Sequence, residues 1–125
     1  NYEENCRRVL EMGPEIVIFT FGADGCCGIE KNGAFFRQNA FHVDVTDTVG
    51  AGDVFHGAFL AGLIRGMTVP EAARFSSAVS AIKCTRIGGR AGIPDYDTAI
   101  RFMQTGQIDY TQIDARVRFY EKGFC

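Results

Sequence analysis

The chain has 125 residues, 46% of them hydrophobic and 22% charged, with a formal net charge of -2. That length supports one modest core rather than two independent domains, and the composition excludes a disordered polypeptide. The near-balanced charge gives no broad attraction for nucleic acid or an anionic membrane surface, so any bound anion has to be held locally. No stretch has the length and uniform hydrophobicity of a membrane-spanning helix, and the start lacks a secretory signal. Asn1, in place of an initiator methionine, points to a processed chain or to the later part of a longer one. Cys6, Cys26, Cys27, Cys84 and Cys125 have no zinc-binding spacing. Their odd number suits reduced, largely structural thiols better than a disulfide framework, which places the protein in the cytoplasm. Cys125, at the chain end, would be reactive if exposed.

In chain order, Asn1 is placed to cap a helix, with Glu4 three residues later and Cys6, Val9, Leu10 and Met12 on its apolar side. Gly13-Pro14 ends it. Ile16-Val17-Ile18-Phe19 shows no polar alternation and predicts a strand covered on both faces, as in a helix-flanked parallel sheet. Thr20-Phe21-Gly22-Ala23-Asp24-Gly25 forms a close turn. Taken alone, it suits an ordinary strand end at least as well as a nucleotide loop. Residues 26–30 and 34–37 predict two short strands joined by Lys31-Asn32-Gly33, and Asn-Gly is a favoured hairpin turn. Residues 41–45 extend into the next motif.

That motif is Asp47-Thr48-Val49-Gly50-Ala51-Gly52-Asp53. Three small residues between two carboxylates make a turn whose backbone can closely approach an anion, and the last carboxylate falls at the mouth of the next helix. Helix-start amides receive negative charge and one side chain handles a proton, although a plain turn and N-cap use similar residues. Val54, Phe55, Ala58, Phe59, Leu60, Ala61, Leu63 and Ile64 then occupy almost every side of a helix, which predicts deep burial up to Arg65-Gly66. Thr68, Pro70 and Glu71 open another helix through a capping box. Its stripe is Ala72, Phe75, Val79 and Ile82, and Ser76, Ser77, Ser80 and Ala81 give neighbouring faces little bulk. Gly88-Gly89-Arg90-Ala91-Gly92 interrupts regular structure. Asp95 is placed to cap a helix through Ala99, Ile100, Phe102 and Met103, ending near Gly106. The tail, with Tyr110, Ile113, Val117, Phe119 and Tyr120, is too apolar for disorder and predicts a short helix or strand packed on this chain or a partner.

Three blocks together carry a family resemblance. Asp47-Thr48-Val49-Gly50-Ala51-Gly52-Asp53-Val54-Phe55, the strand and loop from Val17 through Gly25, and Lys83-Cys84-Thr85-Arg86-Ile87-Gly88-Gly89 stand in the order found in PfkB carbohydrate kinases. The chain closely resembles the C-terminal half of that family, over residues 1–103. The resemblance implies an α/β, ribokinase-like fold: the C-terminal nucleotide-binding portion of a helix-flanked, mainly parallel sheet. Residues 1–125 would be a partial kinase domain, with the nucleotide and catalytic half present and the acceptor-binding half and lid absent.

The resemblance also implies roles. Asp53 would be the base that takes the proton of the acceptor hydroxyl, and Gly50, Ala51 and Gly52, with the Asp53 amide, the anion hole around the transferred phosphoryl group. Thr20, Gly22 and Gly25 would border ATP, while Phe41, Ser77 and Ser80 line its pocket; small residues on such a helix also serve packing alone. Asp47 either braces the turn or, with the Val49 carbonyl and carbonyls around Arg86 and Gly88, holds a monovalent cation such as K+. Gly92 departs from the hydroxyl residue several relatives carry there. Mg2+ would accompany the nucleotide phosphates. Arg86 and Arg90 are candidate phosphate contacts, His42 a pocket-edge residue and His56 a residue that orients the buried helix.

The acceptor implied is a sugar or sugar derivative, with poor or no turnover by the isolated segment. The alternative is a nucleotide-binding regulatory module without kinase turnover, and a structural oligomerisation domain is a third reading. An exposed sheet edge would be covered by a homodimer partner or by an N-terminal half.

Overall fold

The computed structural model describes residues 1–123. Cys125 and the last residues of the tail lie outside them. Asn1 caps α1 (Tyr2–Glu11), its side chain accepting from the amides of Glu3 and Glu4. Glu4 itself pairs with Arg8 one turn on, at the exposed surface. Three strands follow, β1 (Ile16–Thr20), β2 (Cys26–Glu30) and β3 (Phe36–Gln38), with a 3-10 turn at Gly22–Asp24. Between β2 and β3 the Gly33 amide donates to the Glu30 carbonyl at 2.9 Å, and Asn32 takes φ 63°. That left-handed position in a turn is one that Asn tolerates better than most residues.

The sheet is antiparallel throughout, in the order β1-β2-β3, which corrects the mainly parallel sheet expected from the apolar run in β1. Parallel neighbours need a crossover of about a dozen residues, and residues 21–25 leave room only for a tight turn. The apolar run has another cause. Val17 and Phe19 face α1, where Cys6, Val9 and Leu10 meet them together with Cys27 and Ile29. Ile16 and Ile18 face the other way, into the cluster of Cys26, Phe59, Val69, Ala72 and Ala73. Helices cover both sides of the strand, and alternation disappears although its neighbour runs antiparallel. Residues 41–45 form no strand. The chain instead hooks onto the end of a helix, with the amides of Thr46 and Asp47 both donating to the Cys84 carbonyl.

The helices are α2 (Ala51–Ile64), α3 (Val69–Lys83), α4 (Tyr96–Thr105) and α5 (Thr111–Gly123). The capping box of α3 is formed, Thr68 Oγ1 accepting from the Glu71 amide and Glu71 Oε2 from the Thr68 amide. Gly62 lets α2 approach α3, since a Cβ there would lie 3.2 Å from that of Ala72. The burial expected all round α2 is not found: only Phe59 and Gly62 are buried, while Leu60 is 47% and Ile64 87% exposed. α3 covers one side of α2. The opposite side borders β1, whose outer edge has no strand beside it among the described residues. Between that edge and α2 runs a groove of about 450 Å³ whose walls include Ile16, Ile18, Phe55, Phe59, Leu60 and Leu63. Among the described residues no helix is long and apolar enough to cross a membrane.

The tail is a helix packed on this chain. Ile113 of α5 is buried with Ala78, Ile82 and Phe102. Arg86 fastens it from the site side, Nε donating to Asp114 Oδ1 at 2.7 Å and the guanidinium lying 3.7 Å from the Tyr110 ring centre. Cys6, Cys26, Cys27 and Cys84 are all free and buried, and burial raises the Cys6 thiol to about 11. That pKa leaves the thiol protonated and chemically quiet.

Candidate active site

Three pieces of chain converge beside the C-terminal end of β1: the 3-10 turn, the loop running into α2, and the last turns of α3. They enclose a cavity of about 310 Å³. Thr20, Gly22, Gly25, Phe41, Ser77 and Ser80 all line it, as do Ala51 and Gly52. The hydroxyls of the two serines are already in use. Ser77 donates to the Ala73 carbonyl at 2.9 Å and Ser80 to the Ala51 carbonyl at 3.2 Å, tying α3 to the mouth of α2. Only their acceptor lone pairs remain for a ligand. Gly25 is forced by its neighbours: its φ is 89°, and a Cβ would stand 2.1 Å from the Gln38 carbonyl oxygen. His42 sits at the cavity wall, whereas His56 faces the groove beside β1.

The turn at residues 47–53 is held from both ends. Asp47 Oδ1 accepts the Val49 amide and Oδ2 the Gly88 amide, each at 2.9 Å. Gly50 adopts the left-handed conformation, φ 73°, and serves as the N-cap of α2 without a side-chain hydrogen bond. A Cβ on it would lie 3.5 Å from the Gly89 Cα, so the second glycine loop backs the first. The Ala51 amide is taken by the Thr48 carbonyl at 3.1 Å, while the amides of Gly50, Gly52 and Asp53 meet no acceptor among the described residues. Unsatisfied N–H groups at a helix start form a ready anion site. The Asp53 side chain, in the first turn of α2, is exposed and makes no hydrogen bond or ion pair among the described residues.

The candidate cation ligands are divided between two states of use. Both carboxylate oxygens of Asp47 are occupied, whereas the carbonyls of Val49, Arg86 and Gly88 receive no hydrogen bond among the described residues. The Arg86 side chain is committed to α5, and Arg90 is exposed without a partner among the described residues. No group of three or more His, Cys, Asp or Glu side chains among the described residues is placed to hold a metal ion.

Sequence reasoning passed over Lys83, which lies at the last position of α3 and is wholly buried. Its Nζ donates to the Asp47 carbonyl at 2.8 Å, directly under the turn. A signal was available, since Lys83 follows Val79 by four residues and so continues the apolar stripe of α3.

The two amide bonds hold the Asp47 carboxyl below its ordinary range, the Gly88 amide contributing most, the Val49 amide next and Lys83 less. A lowered folded-state pKa adds stability that is present above the unfolded value and is lost as pH falls through the folded value. Wild-type protein should therefore weaken on acidification more than Asp47→Asn does, as read by urea midpoints from neutral to acid pH. Equal pH slopes in the two proteins would contradict this bracing role.

The sequence and the fold are similar to those of known proteins. Residues 2–96 match the profile of the pfkB family carbohydrate kinase. An ATP-dependent 6-phosphofructokinase of Thermoanaerobacterium thermosaccharolyticum is 39% identical over 97 residues, covering 77% of this chain and 30% of that protein. The crystal structure of a ribokinase from Thermotoga maritima superposes with a TM-score of 0.76 at 34% identity, covering 84% of this chain and 35% of the other. A putative ribokinase II from E. coli, crystallised in complex with ATP and Mg2+, gives a TM-score of 0.77 at 29% identity over 83% of this chain and 33% of the other.

The fold is ribokinase-like α/β, with helices on both faces of its antiparallel sheet. The chain belongs to the pfkB family of carbohydrate kinases. The narrower assignment to a C-terminal half of that family is corrected by the extent of the match, which runs over residues 2–96 and so across most of this chain. The chain spans about a third of the length of the relatives it matches.

Proposed function

We propose that this chain carries the nucleotide-binding and phosphoryl-transfer site of an ATP-dependent kinase whose acceptor is a hydroxyl of a sugar or sugar derivative. The observation that carries the reading is the juxtaposition at the mouth of α2. Amides at Gly50, Gly52 and Asp53 that are uncommitted among the described residues stand beside the Asp53 carboxylate, which has no partner among them, and a cavity lined by Gly22, Gly25, Ala51 and Gly52.

The cavity suits a nucleotide. Its volume of about 310 Å³ is at the lower end of the common range for small-molecule sites. Phe41, Val43, Phe55 and Ala81 offer apolar walls, and the serines offer acceptors. ATP supplies the transferable phosphoryl group. Mg2+ would be held chiefly by the ATP phosphates, because no carboxylate cluster among the described residues is placed to cage a metal.

In this reading the amides of Gly50, Gly52 and Asp53 receive the charge that spreads over the phosphoryl oxygens. Being fixed by the turn, they need no reorganisation in the transition state. The Ala51 amide stands outside this set because Thr48 holds it. Asp53 takes the proton from the acceptor hydroxyl as its oxygen bonds to phosphorus and the bond from phosphorus to the departing diphosphate breaks. Four buried free thiols are in keeping with a reducing, cytoplasmic setting.

The acceptor walls and a cover against water come from polypeptide outside these 125 residues. The open edge of β1 and the groove beside α2 are the surface on which further chain of the full-length protein packs. Accordingly, calorimetric titration with ATP and Mg2+ should show binding to the 125-residue chain. A coupled assay of ADP release against a sugar panel should show turnover only in the complete protein. No nucleotide binding by either, or strong sugar-dependent turnover by the short chain, would overturn the respective half of the proposal.

A further inference from the structure

We propose that the ammonium of Lys83 is a built-in cation beneath the anion-binding turn, so that nucleotide binding does not require a free monovalent ion. The inference rests on the nucleotide reading given above and concerns how that site is held. Lys83 is 0% exposed, and the hydrogen bond of its Nζ to the Asp47 carbonyl, 2.8 Å long, joins the end of α3 to the start of the turn. A buried ammonium is costly unless acceptors and negative charge surround it. Here the carbonyl at Asp47 accepts directly and the Asp47 carboxylate supplies the charge.

The same residues leave a free cation poorly served. Asp47 is the one charged ligand of the candidate set, and each of its oxygens already accepts a backbone amide. The Lys83 carbonyl accepts from the Arg86 amide, and the Cys84 carbonyl from those of Thr46 and Asp47. Gly92 cannot be replaced by an oxygen-bearing ligand without movement, since a Cβ there would lie 2.6 Å from the Lys83 carbonyl oxygen. The carbonyls of Val49, Arg86 and Gly88 remain, but they are neutral. An ion held by them alone would have no charged ligand free to meet it. Lys83 is thus a positioning residue: it acts through Asp47 on the turn, and the amides of residues 50–53 do the contacting.

The test is ATP affinity of the complete protein, measured by calorimetry in potassium chloride and in choline chloride at equal ionic strength. Wild type should bind alike in both, within about twofold, whereas Lys83→Met should lose about tenfold or more in choline chloride and regain most of it in potassium chloride. Wild type weaker by about tenfold without potassium would overturn the inference while leaving the nucleotide reading intact. So would Lys83→Met matching wild type in choline chloride, or a loss that potassium leaves unchanged. Should Lys83→Met fail to fold, the wild-type comparison still decides. Absence of ATP binding by wild type in either salt would end both the inference and the reading beneath it.

Discussion

Asp53→Asn is expected to cut sugar-dependent phosphoryl transfer by the complete protein about 100- to 10,000-fold, the span typical for loss of a positioned general base. Its urea midpoint should stay unchanged. The two halves of that expectation have separate physical origins. The carboxylate is exposed and has no partner among the described residues, so its replacement by an amide breaks no internal contact. The backbone N–H of residue 53 is retained, which keeps the anion site and therefore the ATP affinity. Rate and affinity should separate, with kcat falling and the nucleotide Kd nearly constant. Equal activity in the two proteins would remove Asp53 from the chemistry. A fall in ATP affinity as large as that in rate would make it a structural cap instead.

Gly25→Ala should have the largest effect on the fold. Gly25 takes φ 89° and ψ -144°, a region essentially closed to residues with a Cβ, and the added atom would meet the Gln38 carbonyl oxygen at 2.1 Å. The contact is with backbone, which cannot swing aside as a flexible side chain would. Strain of that kind together with displacement of the β2–β3 pairing should cost about 3 kcal/mol or more. ATP binding should fail with it, because Gly25 lines the cavity and its carbonyl accepts from the Phe21 amide across the turn. Gly22→Ala is the matched comparison. Gly22 also has a positive φ, 56°, yet a Cβ there meets nothing within 4 Å, so only the left-handed penalty of about 1–2 kcal/mol applies. Similar urea midpoints for the two variants would show that the close approach to Gln38 does not restrain the turn.

Local chemistry was legible where short-range rules decide. Asn1, Thr68 with Glu71, and Asp95 announced three helix starts, and each side chain makes its capping bond. The hairpin around Asn32 could be read because a residue tolerant of positive φ is needed there. The nucleotide-bordering set from Thr20 to Ser80 came from family resemblance, and the fold gathers all six residues around one cavity. Their contact with a nucleotide remains part of the proposal.

What escaped the sequence was decided by long-range packing. The direction of the strand beside β1 is not encoded in an apolar run, because any strand sandwiched between helices loses alternation. α2 reads as buried on every side, but burial needs neighbours, and among the described residues Leu60 and Ile64 have none to cover them. The docking of α5 depends on Arg86 meeting Asp114, residues 28 apart, and no local pattern signals that pair. The role of Lys83 was hidden for a related reason. A lysine at a helix end is ordinarily solvated, and only the return of the chain at Asp47 encloses this one.

Thr20, Gly52 and Phe55 line both the cavity proposed for the nucleotide and the groove along the open edge of β1, so the two spaces share a wall. Whatever settles into the groove therefore presses on the same three residues that, under the proposal, a nucleotide would touch from within the cavity. Thermodynamic reciprocity then sets the consequence: any factor by which assembly tightens ATP is the factor by which ATP tightens assembly.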